Sequence, residues 1–286
     1  MNITFNNHYQ FKNPISPSFK SNVRMYTTKD GLNMANVTCT FRNDLNWADF
    51  AKFEIDNFKN KDKVNIIQFA ASDGSEAYTQ IISLLENGDS NSTKKFFPII
   101  AYDIDDRIVN IAQTKLLNLD ENDKFKIENN CNNFNKYFTK FKTNLNISNY
   151  AYDPFNFYPS IDYTTYEVAP ILTNKVCFNS GDIFHIAPKI KDDSNTIILC
   201  RNVLSYFPKE KIQNLFKIFS QNLKTGSLVV TGKLEEEAVN YYLQKYGFEE
   251  IMQTFLEKYK IIILKQITYV RFNLYLTCFI FFYIFK

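Results

Sequence analysis

Two short stretches of the chain combine small residues and carboxylates in a way that could receive a ligand. Ala70-Ala71-Ser72-Asp73-Gly74-Ser75-Glu76 follows an apolar run, Val64 to Phe69. A strand that enters a turn of small residues and then a helix start lets the backbone come close to a ligand, and the helix N-terminus offers free N–H groups. A second apolar run, Ile99 to Tyr102, ends in Asp103. At the tip of a second strand in such a β-α-β unit, a carboxylate accepts hydrogen bonds from two ribose hydroxyls. Ala70, Gly74 and Asp103 are therefore candidate ligand contacts. Neither G-x-G-x-x-G nor G-x-x-x-x-G-K-[ST] occurs, which disfavours a dinucleotide and excludes a P-loop. His8 and His185 are the only histidines, so a histidine-rich metal site is excluded. The five cysteines form no C-x-x-C pair and are odd in number. That argues against a zinc-thiolate site or a disulfide scaffold, and for a reducing, cytoplasmic setting; no metal is expected.

These residues need a scaffold, and 286 residues suffice for one large domain or two small ones. Hydrophobic residues at 45% and charged residues at 22% describe a folded chain. The net charge of +3, with no long basic run, does not argue for a nucleic-acid partner. Leu45, Trp47, Phe50, Phe53 and Phe58 have helical spacing with charges between them. Strand and helix patterns then alternate. Strands are expected at 64–69, 99–102, 176–178, 196–200 and 228–230, and helices at 75–85, from 108 to 115, at 209–223 and at 235–245. Residues 248–255 and 259–265 read as a closing antiparallel pair. This alternation argues for an α/β fold, a doubly wound and mostly parallel sheet with helices on both faces. The Asn-, Tyr- and Phe-rich stretch 119–175 is expected to be an inserted irregular segment or lid. Asp153-Pro154-Phe155 reads as loop. The apolar stretch 274–285 is short of the ~20 residues that a bilayer span needs, and it is read as an extra element or extension in preference to a membrane anchor.

The motifs together resemble those of the CheR-type family, the chemotaxis-receptor protein-glutamate O-methyltransferases that use S-adenosylmethionine. Residues 70–79 are similar to its A-A-S-x-G-E-E-P-Y-S motif, and Asp103-Ile104-Asp105 to its D-I-D. Cys200-Arg201-Asn202-Val203-Leu204-Ser205-Tyr206-Phe207 resembles C-R-N-V-x-I-Y-F. Residues 223–228 resemble L-K-P-G-G-x, and Gly232-Lys233-Leu234-Glu235 resembles G-x-x-E. Upstream, Asn36-Val37-Thr38-Cys39-Thr40-Phe41-Arg42 is similar to N-x-T-x-F-F-R. The resemblance implies a class I, Rossmann-like sheet of seven strands and divides the chain into an N-terminal extension (1–29), a methyltransferase domain (30–265, with 119–175 as its divergent small subdomain) and an aromatic tail (266–286).

The resemblance also implies roles. Asn36, Thr38, Arg42 and Glu76 would contact the methionine half of the cofactor, and Asp103 the ribose. Asp182 and Ile183 would lie beside the adenine, with Asn202 and Val203 completing the site. Arg42 and Tyr206 would face the reacting groups. Their types suit methyl transfer to a carboxylate, which is already ionised at neutral pH and needs no strong base. A guanidinium can dock such an acceptor through paired hydrogen bonds, and a phenol can add one more.

Departures from the family pattern fall on both the substrate and the cofactor side. Only 35 residues precede Asn36, and no basic helix is evident among them, whereas typical members carry a basic helical domain there. Ser75, Ala77 and Asp182 replace the usual Glu, Pro and Asn. The expected function is S-adenosylmethionine-dependent methylation of protein glutamate, with a chemoreceptor-like protein as one partner. The alternatives are a non-catalytic cofactor-binding module and a methyltransferase acting on a small molecule.

Overall fold

The computed structural model describes residues 25–27, 33–35, 38–143, 163–190, 195–232, 235, 239, 242, 245–250 and 263–266. Asn36, Asp153-Pro154 and the tail from 267 onward lie outside the described residues. The chain opens with the antiparallel pair β1 (Met25–Thr27) and β2 (Asn33–Ala35). Helix α1 (Trp47–Asn57) follows, begun by Asn46, whose side chain accepts the Asp49 N–H at 3.2 Å. The alternation then runs β3 (Val64–Phe69), α2 (Ser75–Asn87), the single turn α3 (Ser90–Thr93), β4 (Ile99–Asp103) and α4 (Asp106–Gln113).

Next come β5 (Leu116–Leu119), α5 (Glu121–Asn130), β6 (Phe138–Lys140), β7 (Thr164–Val168) and the short α6 (Pro170–Thr173). The main alternation resumes with β8 (Val176–Ser180), α7 (Ile183–Ile186), β9 (Asn195–Cys200), α8 (Lys209–Asn222) and β10 (Leu228–Thr231). It closes with β11 (Phe248–Glu250) and β12 (Ile263–Gln266).

The main sheet has the order β11-β12-β10-β9-β3-β4-β8. Strands β10, β9, β3, β4 and β8 are parallel, whereas β12 is antiparallel to both β10 and β11. Ranked by position in the chain, the seven strands lie 3-2-1-4-5-7-6 across the sheet. The order reverses between β3 and β9, so the crevice for a ligand opens at the C-terminal tips of those two strands. The period-two alternation of strands sorts the core onto two faces. Ile197, Leu199, Leu228 and Val230 pack with α1 and α2, while Ile198, Cys200 and Val229 pack with Phe216 and Phe219 of α8.

The segment expected to be irregular, 119–175, is corrected by the structure. Its described residues hold helices α5 and α6 and contribute β6 and β7 to a three-stranded antiparallel sheet, β5-β7-β6. That sheet begins before the expected boundary, at Leu116. Phe138 and Tyr166 face inward there against Phe134, with ring centroids 5.2 Å from it in each case. The helix expected to run to Lys115 ends at Gln113, and Lys115 takes a left-handed φ of 63°.

One charged residue of α1 lies in its buried stripe. Glu54 is fully buried, and its Oε1 accepts from Gln80 Nε2 of α2 at 2.7 Å. Burial pushes its carboxyl well above the ordinary value of 4.5. Glu54 Oε2 and Gln80 Oε1 are the partnerless atoms of the pair, and a proton on Glu54 lets one donate to the other. A carboxyl raised on folding contributes stability that is lost as pH rises above its unfolded value. Glu54→Gln keeps the shape and removes the titration. Its melting curve should match wild type near pH 4 and gain roughly 1–3 kcal/mol near pH 8. A loss at pH 8 in thermal denaturation would show that Glu54 is ionised in the fold.

Candidate functional site

Four non-glycine residues at or beside the strand tips have left-handed backbones: Phe41 (φ 43°), Ala70 (55°), Ser72 (51°) and Asn202 (58°). Such conformations cost of order 1–3 kcal/mol each and persist where the surroundings over-determine them. The turn after β3 is drawn tight around Asp103 at the tip of β4. Asp103 Oδ2 accepts the Ser72 N–H at 2.8 Å, and Oδ1 accepts the Asp105 N–H at 3.0 Å. Burial raises the Asp103 carboxyl to about 6, and the neighbouring Asp105 adds to the rise; the backbone N–H groups of Asp105, Ser72 and Ile104 pull the other way. Gly74 (φ 90°) starts α2, and a Cβ there would sit 2.5 Å from Phe178 Cζ.

The segment leading into α1 lies against the same tips. Phe41 N–H donates to Thr79 Oγ1 on α2 at 3.1 Å, and Thr40 N–H and Oγ1 both reach Asp123 Oδ1 on α5, at 3.2 and 3.1 Å. Burial pushes the Asp123 carboxyl up to about 7, with Asp120 adding to the rise. Arg201, just past β9, ties the assembly together. Its guanidinium donates to Glu76 Oε2 and to Asp44 Oδ1, each at 2.7 Å, and lies 4.9 Å from the Trp47 ring centroid. Burial raises the Glu76 carboxyl despite Arg201 and Arg42. Burial also acts to raise Asp44, but Arg201 and Arg42 outweigh it and hold that carboxyl below its ordinary value.

The loop after β9 is held by a carboxylate from beyond β10. Glu235 accepts the Leu204 N–H at 2.5 Å and the Gly232 N–H at 2.6 Å, with the N–H groups of Asn202 and Val203 also turned to it. Burial raises its carboxyl. Asn202 Nδ2 reaches Asp44 Oδ2 at 3.4 Å.

The residues singled out in the sequence are distributed as follows. Glu76, Asp103, Gly74 and Val203 are buried at the strand tips, Asn202 is half-buried there, and Ala70 is exposed in the turn. Arg42 is half-buried and acts electrostatically on Glu76, Asp44 and Tyr206. Tyr206 is 49% exposed. Thr38 is half-buried. Asp182 serves as the N-cap of α7, accepting the Phe184 N–H at 2.9 Å, and Ile183 is buried against the second core. They join the site through Gly181, whose N–H donates to the Asp103 carbonyl at 2.8 Å. Arg201, Asp44 and Glu235 were missed. Arg201 and Glu235 stand within the quoted motifs, so a signal existed, whereas Asp44 carries no signal beyond lying two residues past Arg42.

A mostly parallel sheet with strand order 3-2-1-4-5-7-6, an antiparallel seventh strand and a site at the switch point defines a class I methyltransferase. The model of the CheR methyltransferase family's SAM-binding domain matches residues 36–149 and 142–252, and the chain belongs to that family. It is an S-adenosylmethionine-dependent methyltransferase. No curated protein matches it in sequence. Among solved structures it is similar to magnesium protoporphyrin IX methyltransferase (ChlM) from Synechocystis PCC 6803 with bound SAM, at 12% identity and a TM-score of 0.37, covering 78% of this chain and 77% of that one. It is also similar to an S-adenosylmethionine-dependent methyltransferase from Clostridium acetobutylicum ATCC 824, at 13% identity and a TM-score of 0.31, covering 66% and 51%.

The residues present fit the cofactor. A carboxylate has about four accepting positions, and the three N–H groups around Asp103 leave one or more for ribose hydroxyls. Ser72 Oγ, on the residue whose N–H binds Asp103, is buried and has no partner among the described residues. Glu76 and Asp44 supply negative charge for an ammonium group. Among the described residues no cluster of His, Cys, Asp and Glu could hold a metal ion, and no helix is long and apolar enough to cross a membrane.

Proposed function

We infer that this chain transfers the methyl group to glutamate carboxylates on a protein, with a chemoreceptor-like protein as one candidate partner. What supports this reading is the pair Arg42 and Tyr206, 164 positions apart in the chain: the Arg42 charge acts on the Tyr206 phenol, and Tyr206 is half-exposed. S-adenosylmethionine supplies a methyl group made electrophilic by its sulfonium. The residues of the chain have to hold that group and orient an acceptor. Asp103 would take the ribose hydroxyls, Glu76 the ammonium, and Thr38, Asn36 and Arg42 the remainder of the methionine half. The turn at Ala70–Gly74 and the groups at Asp182, Ile183, Asn202 and Val203 would line the rest.

Arg42 would dock the acceptor carboxylate, and a guanidinium keeps its charge at any relevant pH. Burial, assisted by the charge of Glu235, raises the Tyr206 phenol against the pull of Arg42, so Tyr206 stays a proton donor at neutral pH. Neither group has to remove a proton, because the acceptor is already ionised. Their work is alignment and exclusion of water.

The direct test incubates the protein with cofactor labelled in the methyl group and with membrane and soluble protein fractions. Base-labile label on protein is the expected result. Label confined to the small-molecule pool would replace this reading, and no label on any fraction would end it.

The Asp103 carboxyl gives a pH dependence of cofactor binding. The ionised form accepts the ribose hydroxyls, and affinity is lost as pH falls through about 6. 5′-Methylthioadenosine carries the ribose and adenine but no amino-acid half. Its calorimetric Kd should rise about tenfold per pH unit below that point. Asp103→Asn should bind weakly and show no such limb.

A further inference from the structure

Arg201 is buried just past the end of β9, with 1% of its side chain exposed, and it has two carboxylates on one guanidinium. The two come from different parts of the chain. Glu76 stands in the first turn of α2, and its other oxygen accepts Gln68 Nε2 at 3.1 Å. Asp44 belongs to the segment that also carries Thr38 and Arg42. The Trp47 ring lies over the guanidinium at the start of α1. Each carboxylate accepts one directional N–H bond, from a different arm of the fork, so the guanidinium sets where both carboxylates stand.

We propose that Arg201 is a positioning residue for the cofactor: its single buried fork orients Glu76 toward the cofactor's ammonium group and, through Asp44, holds the Thr38–Arg42 segment over the crevice. This rests on the reading that Glu76 receives the ammonium. Arg201 itself need not touch the cofactor. Its second effect is on charge. The groups around Glu76 are Arg201 from the end of β9, Arg42 and Asp44 from the segment before α1, Gln68 from β3, and the Cys200 thiol. Burial works to keep Glu76 protonated, Arg201 and Arg42 work to ionise it, and Asp44 opposes them. Only the ionised carboxylate offers a full charge to the ammonium. Removing Arg201 therefore shifts Glu76 toward the protonated form, and removing Asp44 shifts it the other way.

The test is calorimetric binding of S-adenosylhomocysteine, with 5′-methylthioadenosine as the probe lacking an ammonium group, from about pH 5 to 9. Circular dichroism confirms folding of each variant. For S-adenosylhomocysteine, R201Q is expected to move the acid-side loss of affinity upward by about one pH unit or more and to raise Kd at neutral pH about tenfold. D44N should lower the Glu76 part of the loss, read as the excess over the Asp103 limb that 5′-methylthioadenosine reports, whatever it does to the affinity at high pH. R201K keeps the charge but not the fork, so its limb should stay near wild type while Kd rises. For 5′-methylthioadenosine the limb, set by Asp103, should stay in place in all three.

A role limited to holding the fold would move both limbs together or neither. The proposal is overturned if the R201Q and wild-type limbs coincide, if D44N moves in the same direction as R201Q, or if the 5′-methylthioadenosine limb moves with them. Should R201Q not fold, the direction of the D44N shift and the R201K limb decide in its place. E76Q separates the two levels of the argument. If it binds S-adenosylhomocysteine as tightly as wild type, the reading of Glu76 fails. If E76Q binds weakly while R201Q and D44N leave the limb unmoved, that reading stands and the role of Arg201 fails.

Discussion

Arg42→Ala is expected to lower methyl transfer to protein carboxylates by about 10²–10³-fold, the usual effect of removing one preorganised donor from the reacting groups. The acceptor has to leave water before it can meet the methyl group, and in the proposed reaction Arg42 replaces the lost hydration with a fixed charge. The same guanidinium acts on Glu76 and Asp44, so cofactor affinity should fall too, but by less than the rate. Arg42→Lys keeps a positive charge and loses the paired geometry, and it should lie between the two. Single-turnover transfer of labelled methyl, measured beside the Kd for S-adenosylhomocysteine, separates the effects. Transfer within about threefold of wild type in Arg42→Ala would remove Arg42 from the reacting site.

Gly232→Ala should be strongly damaging for an exchange of a single hydrogen for a methyl group. A Cβ at Gly232 would sit 2.5 Å from Asn202 Oδ1 and 2.9 Å from Asn202 N. The second contact is with backbone, which cannot swing aside as a side chain can. Asn202 has little freedom to retreat, because it is in a left-handed conformation and its loop is tied to Glu235. Overpacking of this kind costs about 1–3 kcal/mol. Because the loop displaced is the one at the tip of β9, cofactor affinity should fall about tenfold or more with it. Gly247→Ala is the contrast. Gly247 has φ 73° but nothing within 4 Å of a Cβ, so its substitution should cost about 1–2 kcal/mol of stability and leave affinity unchanged. Thermal denaturation with calorimetry on both variants checks this, and equal affinity in Gly232→Ala and wild type would show that the β9 loop does not belong to the cofactor site.

Strands β9 and β10 were legible because central strands are buried on both faces and read as apolar runs. Thr196 to Cys200 is such a run, and β9 is buried throughout. Helix α8 was legible through its period, since Ile212, Leu215, Phe216 and Phe219 form one buried stripe. The small sheet was legible only through the resemblance, which put a small subdomain at 119–175, and not through the residue pattern. Its strands have three to five residues, and β6 has one buried residue and two exposed ones, so alternation has no length over which to show. The burial of Glu54 was not legible either. An acid among charges reads as surface, and only the Gln80 of a neighbouring helix makes its burial tolerable.

What the sequence by itself determined is the list of groups: a tight turn after one apolar run, an acid after the next, and a C-R-N-V segment after a third. It determined their order along the chain, and through the parallel-sheet rule it determined which strand ends share an edge. Tertiary structure alone decided the pairing of charges. Arg201 meets Glu76 from 125 positions away and Asp44 from 157, and Glu235 reaches back 31 residues to hold the loop after β9. Local pattern carries no record of such meetings, because a buried ion's partner is chosen by the low dielectric it shares with its neighbours in space and not by its distance along the chain.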